Sequence, residues 1–214
     1  MNELEKLWKE VDNCRECRQN GNKLLHILGG GKTNSPEFMF VFINPTHANI
    51  SSKPQHKGKR SPFLGTKAVW KVFFNAGIFD EDFLKKTQGA WNNETIEFVL
   101  KEMENKSVYF TNVVKCTSPH GNLPSPKKVQ ENLELLKKEI EIIKPKNIIA
   151  MGLIPFKALT KENIKLKDYF EKAKKGKIQK FEFQGARVFP CFFPVGRGNP
   201  KKAAELLKII KQKI

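Results

Sequence analysis

A polar amide side chain follows directly on an apolar segment of the chain. Residues Phe38–Ile43 are all hydrophobic, and Asn44-Pro45 comes immediately after them. An apolar strand that stops at a polar residue delivers that residue to the carboxyl edge of a sheet, where open α/β sheets bind ligands. The loop that follows carries Phe63, whose ring can form one wall of a flat slot. The spacing therefore predicts a binding site for a planar ring.

Cysteine spacing points to a second kind of chemistry. Cys14 and Cys17 form a C-x-x-C motif at the end of a helix-like segment, and Cys116 follows an apolar run. Thiolates at this spacing can hold zinc or an iron–sulfur cluster, although a lone C-x-x-C motif also fits ordinary thiols. The charged N-terminus lacks the apolar core of a signal peptide, so we expect an intracellular protein, in which disulfides are rare. Cys191 lies among phenylalanines, and we expect it to pack in the core.

The net charge indicates a polyanionic partner. The 214 residues include 39 Lys and Arg against 22 Asp and Glu, which gives a formal net charge of +17. Nucleic acid is the simplest partner for such a chain. Only five of these basic residues are arginines, so a lysine-rich composition is the alternative explanation. The basic residues are spread along the chain, which disfavours a membrane surface, and no apolar run is long enough to predict a membrane span.

Hydrophobic periodicity predicts elements that position these residues. Four apolar segments are predicted as strands: Phe38–Ile43, Ser107–Val114, Asn147–Met151 and Arg187–Phe193. Helical spacing or capping residues predict helices in six segments: around Leu4–Val11, Thr66–Ala76, Glu94–Asn105, Pro126–Ile143 and Lys157–Gly176, and from Pro200 onward. Strands that alternate with helices are typical of an α/β fold with a largely parallel sheet. Pro190 predicts an edge position or a bulge in the last strand.

Taken together, the motifs resemble the uracil-DNA glycosylase superfamily, and the N-terminal half resembles its iron–sulfur (family 4) branch. The matching segments are Cys14–Cys17, Gly29–Gly31, Phe38–Ile43, Pro62–Gly65, Thr111–Cys116 and Asn122–Pro124. The run Thr-Asn-Val-Val-Lys-Cys at Thr111–Cys116 is the most specific of them. By contrast, Ile43-Asn44-Pro45 is similar to the first motif of the mismatch-specific uracil/thymine glycosylases.

The resemblance implies both a fold and an activity. It implies a three-layer α/β/α sandwich around a central, mostly parallel four-stranded sheet, formed by one domain over residues 1–214. It implies a monomeric, nucleoid-associated DNA-repair enzyme that hydrolyses the N-glycosidic bond of uracil, or of another deaminated base, after flipping the nucleotide out of DNA. Such hydrolysis needs no soluble cofactor.

The resemblance also assigns roles around the predicted slot. Asn44 would hold the attacking water, because an amide is a poor base but a good positioning group. Ile43, Phe63 and Asn112 would contact the base: Phe63 by stacking and Asn112 through an amide that suits the edge of uracil.

Basic and backbone groups around the slot would contact DNA. Arg60 would bind backbone phosphates. Gly196, Arg197 and Asn199 form a glycine-flanked turn before the last helix and would bind phosphate through backbone N–H groups, with Asn199 also acting as an N-cap.

Two departures from the family pattern affect these roles. Phe193 stands where the family has a histidine in its second motif, so electrostatic help to the leaving base is missing or comes from elsewhere. His47 is the preferred substitute over His56, since it is three residues from Asn44.

The second departure concerns the metal site. Asn132 stands where the branch has its fourth cluster cysteine, and an amide is not a thiolate. Cys14, Cys17 and Cys116 would therefore hold a 4Fe-4S cluster with an unidentified fourth ligand, or zinc, or the site is degenerate. His26 and His120 are candidate replacements.

Two rival functions remain open at this level. A relative that binds damaged or single-stranded DNA without turnover would tolerate the loss of the second-motif histidine. A metal-dependent nuclease or nucleotide hydrolase would need a cluster of Asp, Glu and His residues, and no suitable spacing of these residues is present.

Overall fold

A mixed six-stranded sheet forms the centre of the molecule. The computed structural model describes residues 2–14, 24–53 and 60–214. The strands are β1 (Gly30–Gly31), β2 (Phe38–Phe42), β3 (Val108–Asn112), β4 (Asn147–Met151), β5 (Phe181–Phe183) and β6 (Ala186–Cys191). Their order across the sheet is β1-β3-β2-β4-β6-β5, and the central β3, β2, β4 and β6 run parallel. The four predicted strands are thus confirmed as the parallel core of an α/β fold.

Eight α-helices surround this sheet in the described part of the chain. They are α1 (Glu3–Asp12), α2 (Ala68–Asn75), α3 (Glu81–Gln88), α4 (Asn93–Asn105), α5 (Pro126–Ile143), α6 (Leu153–Thr160), α7 (Leu166–Lys174) and α8 (Pro200–Lys213). A short 3-10 turn covers Ile50–Ser52. None of the described helices is long and apolar enough to cross a membrane.

Alternation along the strands creates two apolar layers. In β2, Phe40 and Phe42 enter one core cluster, whereas Met39 and Val41 enter the other. Helices α2, α3, α4, α7 and α8 pack on the first face, and α1, α5 and α6 pack on the second. The arrangement is the predicted three-layer sandwich, and both faces of the parallel sheet are covered.

Several boundaries differ from the sequence prediction. The pattern missed α3, which Asp80 caps through a hydrogen bond to the Phe83 N–H. The predicted helix over residues 157–176 is two helices, because the chain turns left-handed at Lys161 (φ 61°). The sequence also missed β1 and β5, which pair antiparallel at the two edges and are two and three residues long.

Pro190 is compatible with its strand because of where pairing stops. It lies opposite Ala150 of β4, while β5 pairs with β6 only as far as Val188. At Pro190 the strand therefore has no neighbour on its β5 side, which matches the predicted edge position.

Candidate functional site

A cavity of about 260 Å³ opens at the carboxyl edge of the sheet. Its walls come from the segment after β2, the last residue of β3, the loop before α2 and the turn before α8. The lining residues are Asn44, Pro45, Thr46, Ala48, Asn49, Pro62, Phe63, Thr66, Lys67, Ala68, Asn112, Phe193 and Val195. Parallel register places Phe42 of β2 opposite Asn112 of β3, so the predicted polar residues meet at one place.

Asn44 is held through its amide nitrogen. Nδ2 donates to the carbonyl oxygens of Pro45 and Asn122, each at 3.2 Å. Because Nδ2 serves as the donor in both bonds, the side-chain oxygen keeps its acceptor capacity, and the residue lines the cavity. This orientation suits an amide that receives a hydrogen bond from a water molecule.

Asn112 presents an unpaired donor at the cavity wall. It is the last residue of β3 and is only 2% exposed. Among the described residues, its buried Nδ2 has no hydrogen-bond partner. A buried donor without a partner costs about 1–3 kcal/mol, a cost that a bound ligand with a carbonyl oxygen would remove.

Phe63 lines the cavity in a strained backbone conformation. Its φ is +68°, in the left-handed region that costs a bulky side chain roughly 1–2 kcal/mol. Its ring meets Phe42 edge to face at 4.6 Å between centroids. Nearby Gly65 (φ +88°) lies against Ile50, where an added Cβ would come within 2.3 Å of a methyl carbon. The close packing holds the loop in place, and the ring is fixed before any ligand arrives.

Asn49 connects the two loops of the site, and sequence analysis missed it. Its Nδ2 donates to the Ser61 carbonyl at 2.8 Å, while its oxygen accepts from the N–H and hydroxyl of Ser51. The residue is 3% exposed and lines the cavity. Its position five residues after Asn44 was the only signal available in the sequence.

Two other residues assigned near the base, Ile43 and His47, are not among the residues that line the cavity. Ile43 is buried beside Gly152, and its carbonyl accepts from the Val114 N–H. His47 is exposed, and its backbone N–H donates to Ser118. His56 lies outside the described residues. Phe193 does line the cavity, so an apolar ring occupies the wall at this motif.

The structure corrects the role expected for Arg60. Its guanidinium forms a two-pronged ion pair with Asp12 of α1, with N–O distances of 2.5 and 2.7 Å, and also donates to the His26 carbonyl. The Arg60 side chain is 8% exposed. Arg60 therefore ties the N-terminal helix to the loop before the cavity and does not present its charge to a phosphate.

Replacing Arg60 is expected to act on stability. Arg60→Ala should lower the free energy of unfolding by about 2 kcal/mol, since hydrogen bonds between charged groups contribute roughly 1.5–3 kcal/mol. Urea denaturation would measure this loss, with exposed Lys71→Ala on α2 as the control. If Arg60 contacted a phosphate, its replacement would instead reduce the slope of log binding constant against log salt concentration by about one. That change, with unaltered stability, would contradict our assignment.

The turn before α8 combines an N-cap with an exposed arginine. Asn199 accepts a hydrogen bond from the Lys202 N–H at 3.0 Å, so it is the predicted N-cap. Gly196 has a φ of +59°, and Arg197 is exposed. The turn adjoins the cavity through Val195, so an anion bound at this turn would lie beside the cavity.

Three possible metal ligands meet near the N-terminal helix. The ligand atoms of Cys14, His26 and Cys116 all lie within 4.8 Å of one another. Cys17 lies outside the described residues, and His120 is exposed. Of the two candidate histidines, the structure therefore brings only His26 to the cysteines.

A buried ion pair is bonded to the end of β3, where Asn112 lines the cavity. The Lys115 ammonium contacts the Glu139 carboxylate and the Thr111 hydroxyl, and it donates to the Asn112 carbonyl at 2.9 Å. Burial lowers the pKa of Lys115, and Glu139 opposes that shift. Tyr109 donates to the same carboxylate at 2.8 Å, and burial together with Glu139 raises its pKa. This network fixes the end of β3, from which Asn112 reaches the cavity.

Comparison with known proteins identifies a matching family. Residues 28–212 match the family model described as the uracil DNA glycosylase superfamily. The matched range includes every residue that lines the cavity, and Cys116; Cys14 and His26 precede it.

Individual curated proteins match the chain at low sequence identity. The chain is 25% identical to a type-4 uracil-DNA glycosylase of Sulfurisphaera tokodaii over 91% of this chain and 75% of the relative. It is 25% identical to a type-4 uracil-DNA glycosylase of Archaeoglobus fulgidus over 71% of this chain and 61% of the relative. It is 29% identical to a DNA polymerase of Bacillus phage SP01 over 61% of this chain, which spans only 14% of that polymerase.

Proposed function

The chain belongs to the uracil DNA glycosylase superfamily, and from that premise we propose that it removes uracil, or another deaminated base, from DNA by hydrolysing the N-glycosidic bond. One observation carries the proposal: Asn44, Phe63 and Asn112 line one cavity, and the buried Nδ2 of Asn112 has no hydrogen-bond partner among the described residues. A water-positioning group, a base-reading group and a stacking wall are what such hydrolysis requires.

The size and walls of the cavity suit a single base. At about 260 Å³ it lies just below the roughly 300–1,000 Å³ typical of small-molecule pockets, so it fits a ring better than a whole nucleotide. A base inside a duplex cannot reach it, so the nucleotide must leave the stack. Phe63 then stacks on one face of the base. Because its backbone already has the required conformation, binding loses little conformational entropy at this residue.

Asn112 supports recognition and departure of uracil. Its Nδ2 donates to the O4 carbonyl, and its side-chain oxygen accepts from N3–H. Cytosine carries an amine at position 4 and no hydrogen at N3, so both contacts would be mismatched. As the bond to the sugar breaks, negative charge develops on the base, and the donated hydrogen bond strengthens.

Asn44 supports the attack on the sugar. Its nitrogen is committed to the carbonyls of Pro45 and Asn122, so its oxygen is aimed to hold a water at the sugar carbon. The gain comes from position and orientation, since an amide removes protons poorly. Arg197 and the backbone N–H groups of its turn, including Gly196, would bind phosphate beside the flipped nucleotide.

The site formed by Cys14, His26 and Cys116 has ligands suited to a metal ion or an iron–sulfur cluster. Two thiols and a buried imidazole within 4.8 Å are a suitable donor set. Cys14, Cys17 and Cys116 would hold a 4Fe-4S cluster, with zinc as the alternative, and the group would supply structural support rather than a step in hydrolysis. It would join the segment after α1 to the segment after β3.

The second candidate function rests on Phe193. This ring lines the cavity where the family has a histidine, so less help is available for charge on the departing base. A protein that binds DNA lesions without turnover would tolerate that change.

Base release from damaged oligonucleotides separates the two functions. Single- and double-stranded oligonucleotides that contain uracil, hypoxanthine or thymine opposite guanine would be incubated with the protein and treated with alkali. We expect strand scission at uracil. Tight binding of the same oligonucleotides without scission above a protein-free control would support the non-catalytic function instead.

Asn112→Asp tests how the base is read. The substitution replaces the unpaired donor with an acceptor, which repels O4 of uracil. We expect the preference for uracil over cytosine to fall by about tenfold to a hundredfold, because one mismatched buried polar contact costs roughly 1–3 kcal/mol. The measurement is the rate of base release from paired oligonucleotides that differ only in this base. An unchanged preference would assign base reading to another residue.

A further inference from the structure

His26 combines burial, an unpartnered nitrogen and proximity to two thiols. The residue is 6% exposed, and in the described part of the chain its Nε2 has no hydrogen-bond partner. The ligand atoms of Cys14 and Cys116 lie within 4.8 Å of its ring nitrogen. A buried imidazole nitrogen that faces two thiols without a hydrogen bond is costly unless a metal ion takes the place of the partner.

The backbone around His26 is fixed from several sides. The Ile27 N–H donates to the Lys115 carbonyl at 3.0 Å, and the Leu25 N–H donates to the Ser52 carbonyl at 2.6 Å. The His26 carbonyl itself accepts from Arg60 at 3.3 Å. These bonds hold the backbone of His26 beside the segment that ends at Cys116.

The other replacement candidates are less suitable. His120 is exposed. Asn132, on α5, donates its Nδ2 to the Lys128 carbonyl one turn earlier in its own helix at 2.9 Å. Of these three side chains, only His26 offers a buried nitrogen toward the cysteines.

We propose that His26 is the ligand that takes the place of the missing fourth cysteine, so that one imidazole nitrogen binds the metal beside the thiolates of Cys14 and Cys116. The inference rests on the metal site of the proposed function, and adds to it the identity of the last ligand. A neutral imidazole in place of a thiolate removes one negative charge from the site. In an iron–sulfur cluster this exchange raises the reduction potential.

X-ray absorption spectroscopy on the full-length protein tests the ligand directly. Elemental analysis would first identify the bound metal, and the spectrum would be recorded at the edge of that metal, iron or zinc. We expect nitrogen in the metal's first coordination shell beside sulfur. An all-sulfur shell, a light-atom ligand without the outer-shell scattering of an imidazole ring, or a purified protein that binds neither metal after reconstitution would overturn the proposal.

Two variants at one position distinguish a ligand from a packing residue. His26→Ala should lower metal affinity by at least about tenfold, since even residues that only support metal ligands are worth that much. His26→Cys should retain the metal and convert the shell to sulfur alone, and with iron it should lower the reduction potential. His120→Ala is the matched control and should change neither readout. Retention of the nitrogen signal in His26→Cys would refute the assignment.

The readouts do not depend on glycosylase activity. If the protein releases no uracil but shows the nitrogen ligand that His26→Cys removes, the proposed activity fails and the ligand assignment stands. If it releases uracil and its metal shell lacks nitrogen, the assignment fails and the activity stands.

Discussion

Asn44→Ala is expected to slow uracil release by about a hundredfold or more, with little change in DNA affinity. The Asn44 nitrogen is bound to two backbone carbonyls, which restricts the rotation of the amide, and the residue lines the cavity. Removing it leaves the attacking water without its positioning partner, and a misplacement of about 1 Å is enough for a hundredfold loss. The effect should therefore fall on the chemical step rather than on binding.

Single-turnover kinetics with excess protein would isolate that step. Asn44→Asp should be less damaged than Asn44→Ala, because a carboxylate also accepts from water and can act as a base. Asn105→Ala is a matched control, since this exposed asparagine bonds only to Glu102 among the described contacts of its side chain. Equal rates for the wild type and Asn44→Ala would place the water elsewhere, and His47→Ala would then be the next variant to measure.

The position of the cavity could be predicted because it depends on local patterns. An apolar strand followed by Asn44-Pro45, and a second strand that ends at Asn112, need only parallel register to bring both amides to one edge. The resemblance to a known family added Phe63 to the same wall. Each of these signals is contained in a few consecutive residues.

The roles of Arg60 and Asn49 depend on partners that no local pattern specifies. Arg60 finds its carboxylate 48 residues away in Asp12, and nothing in the basic loop around it indicates that partner. Asn49 bonds to Ser61, which is 12 positions further along the chain. The positive φ at Phe63 likewise follows from packing around Gly65 and Ile50 rather than from the preference of phenylalanine itself. Tertiary contacts decide these cases, and a sequence taken alone does not record them.

The buried Lys115–Glu139 pair predicts the largest loss of stability. Glu139 is 1% exposed, and its carboxylate accepts from the Tyr109 hydroxyl, the Thr111 hydroxyl and the Lys115 ammonium. Glu139→Gln keeps the size of the side chain but leaves the ammonium in the core without a counter-charge. Removing one partner of a buried pair costs roughly 3–5 kcal/mol, and urea denaturation at neutral pH would measure it.

A double variant separates the charge from the packing. Lys115→Met combined with Glu139→Gln leaves no unpaired ion, so we expect it to recover much of the stability lost in the single variant. A double variant no more stable than Glu139→Gln would mean that packing around the carboxylate, rather than the lost charge, decides the outcome.

The same pair links stability to base reading. Lys115 donates to the Asn112 carbonyl at 2.9 Å, so its ammonium helps to hold the end of β3 in the geometry that aims Asn112 into the cavity. The double variant restores charge balance without restoring that bond. It should therefore fold more stably than Glu139→Gln and still discriminate less well between uracil and cytosine than the wild type. Wild-type discrimination in this variant would show that the strand alone suffices to position Asn112.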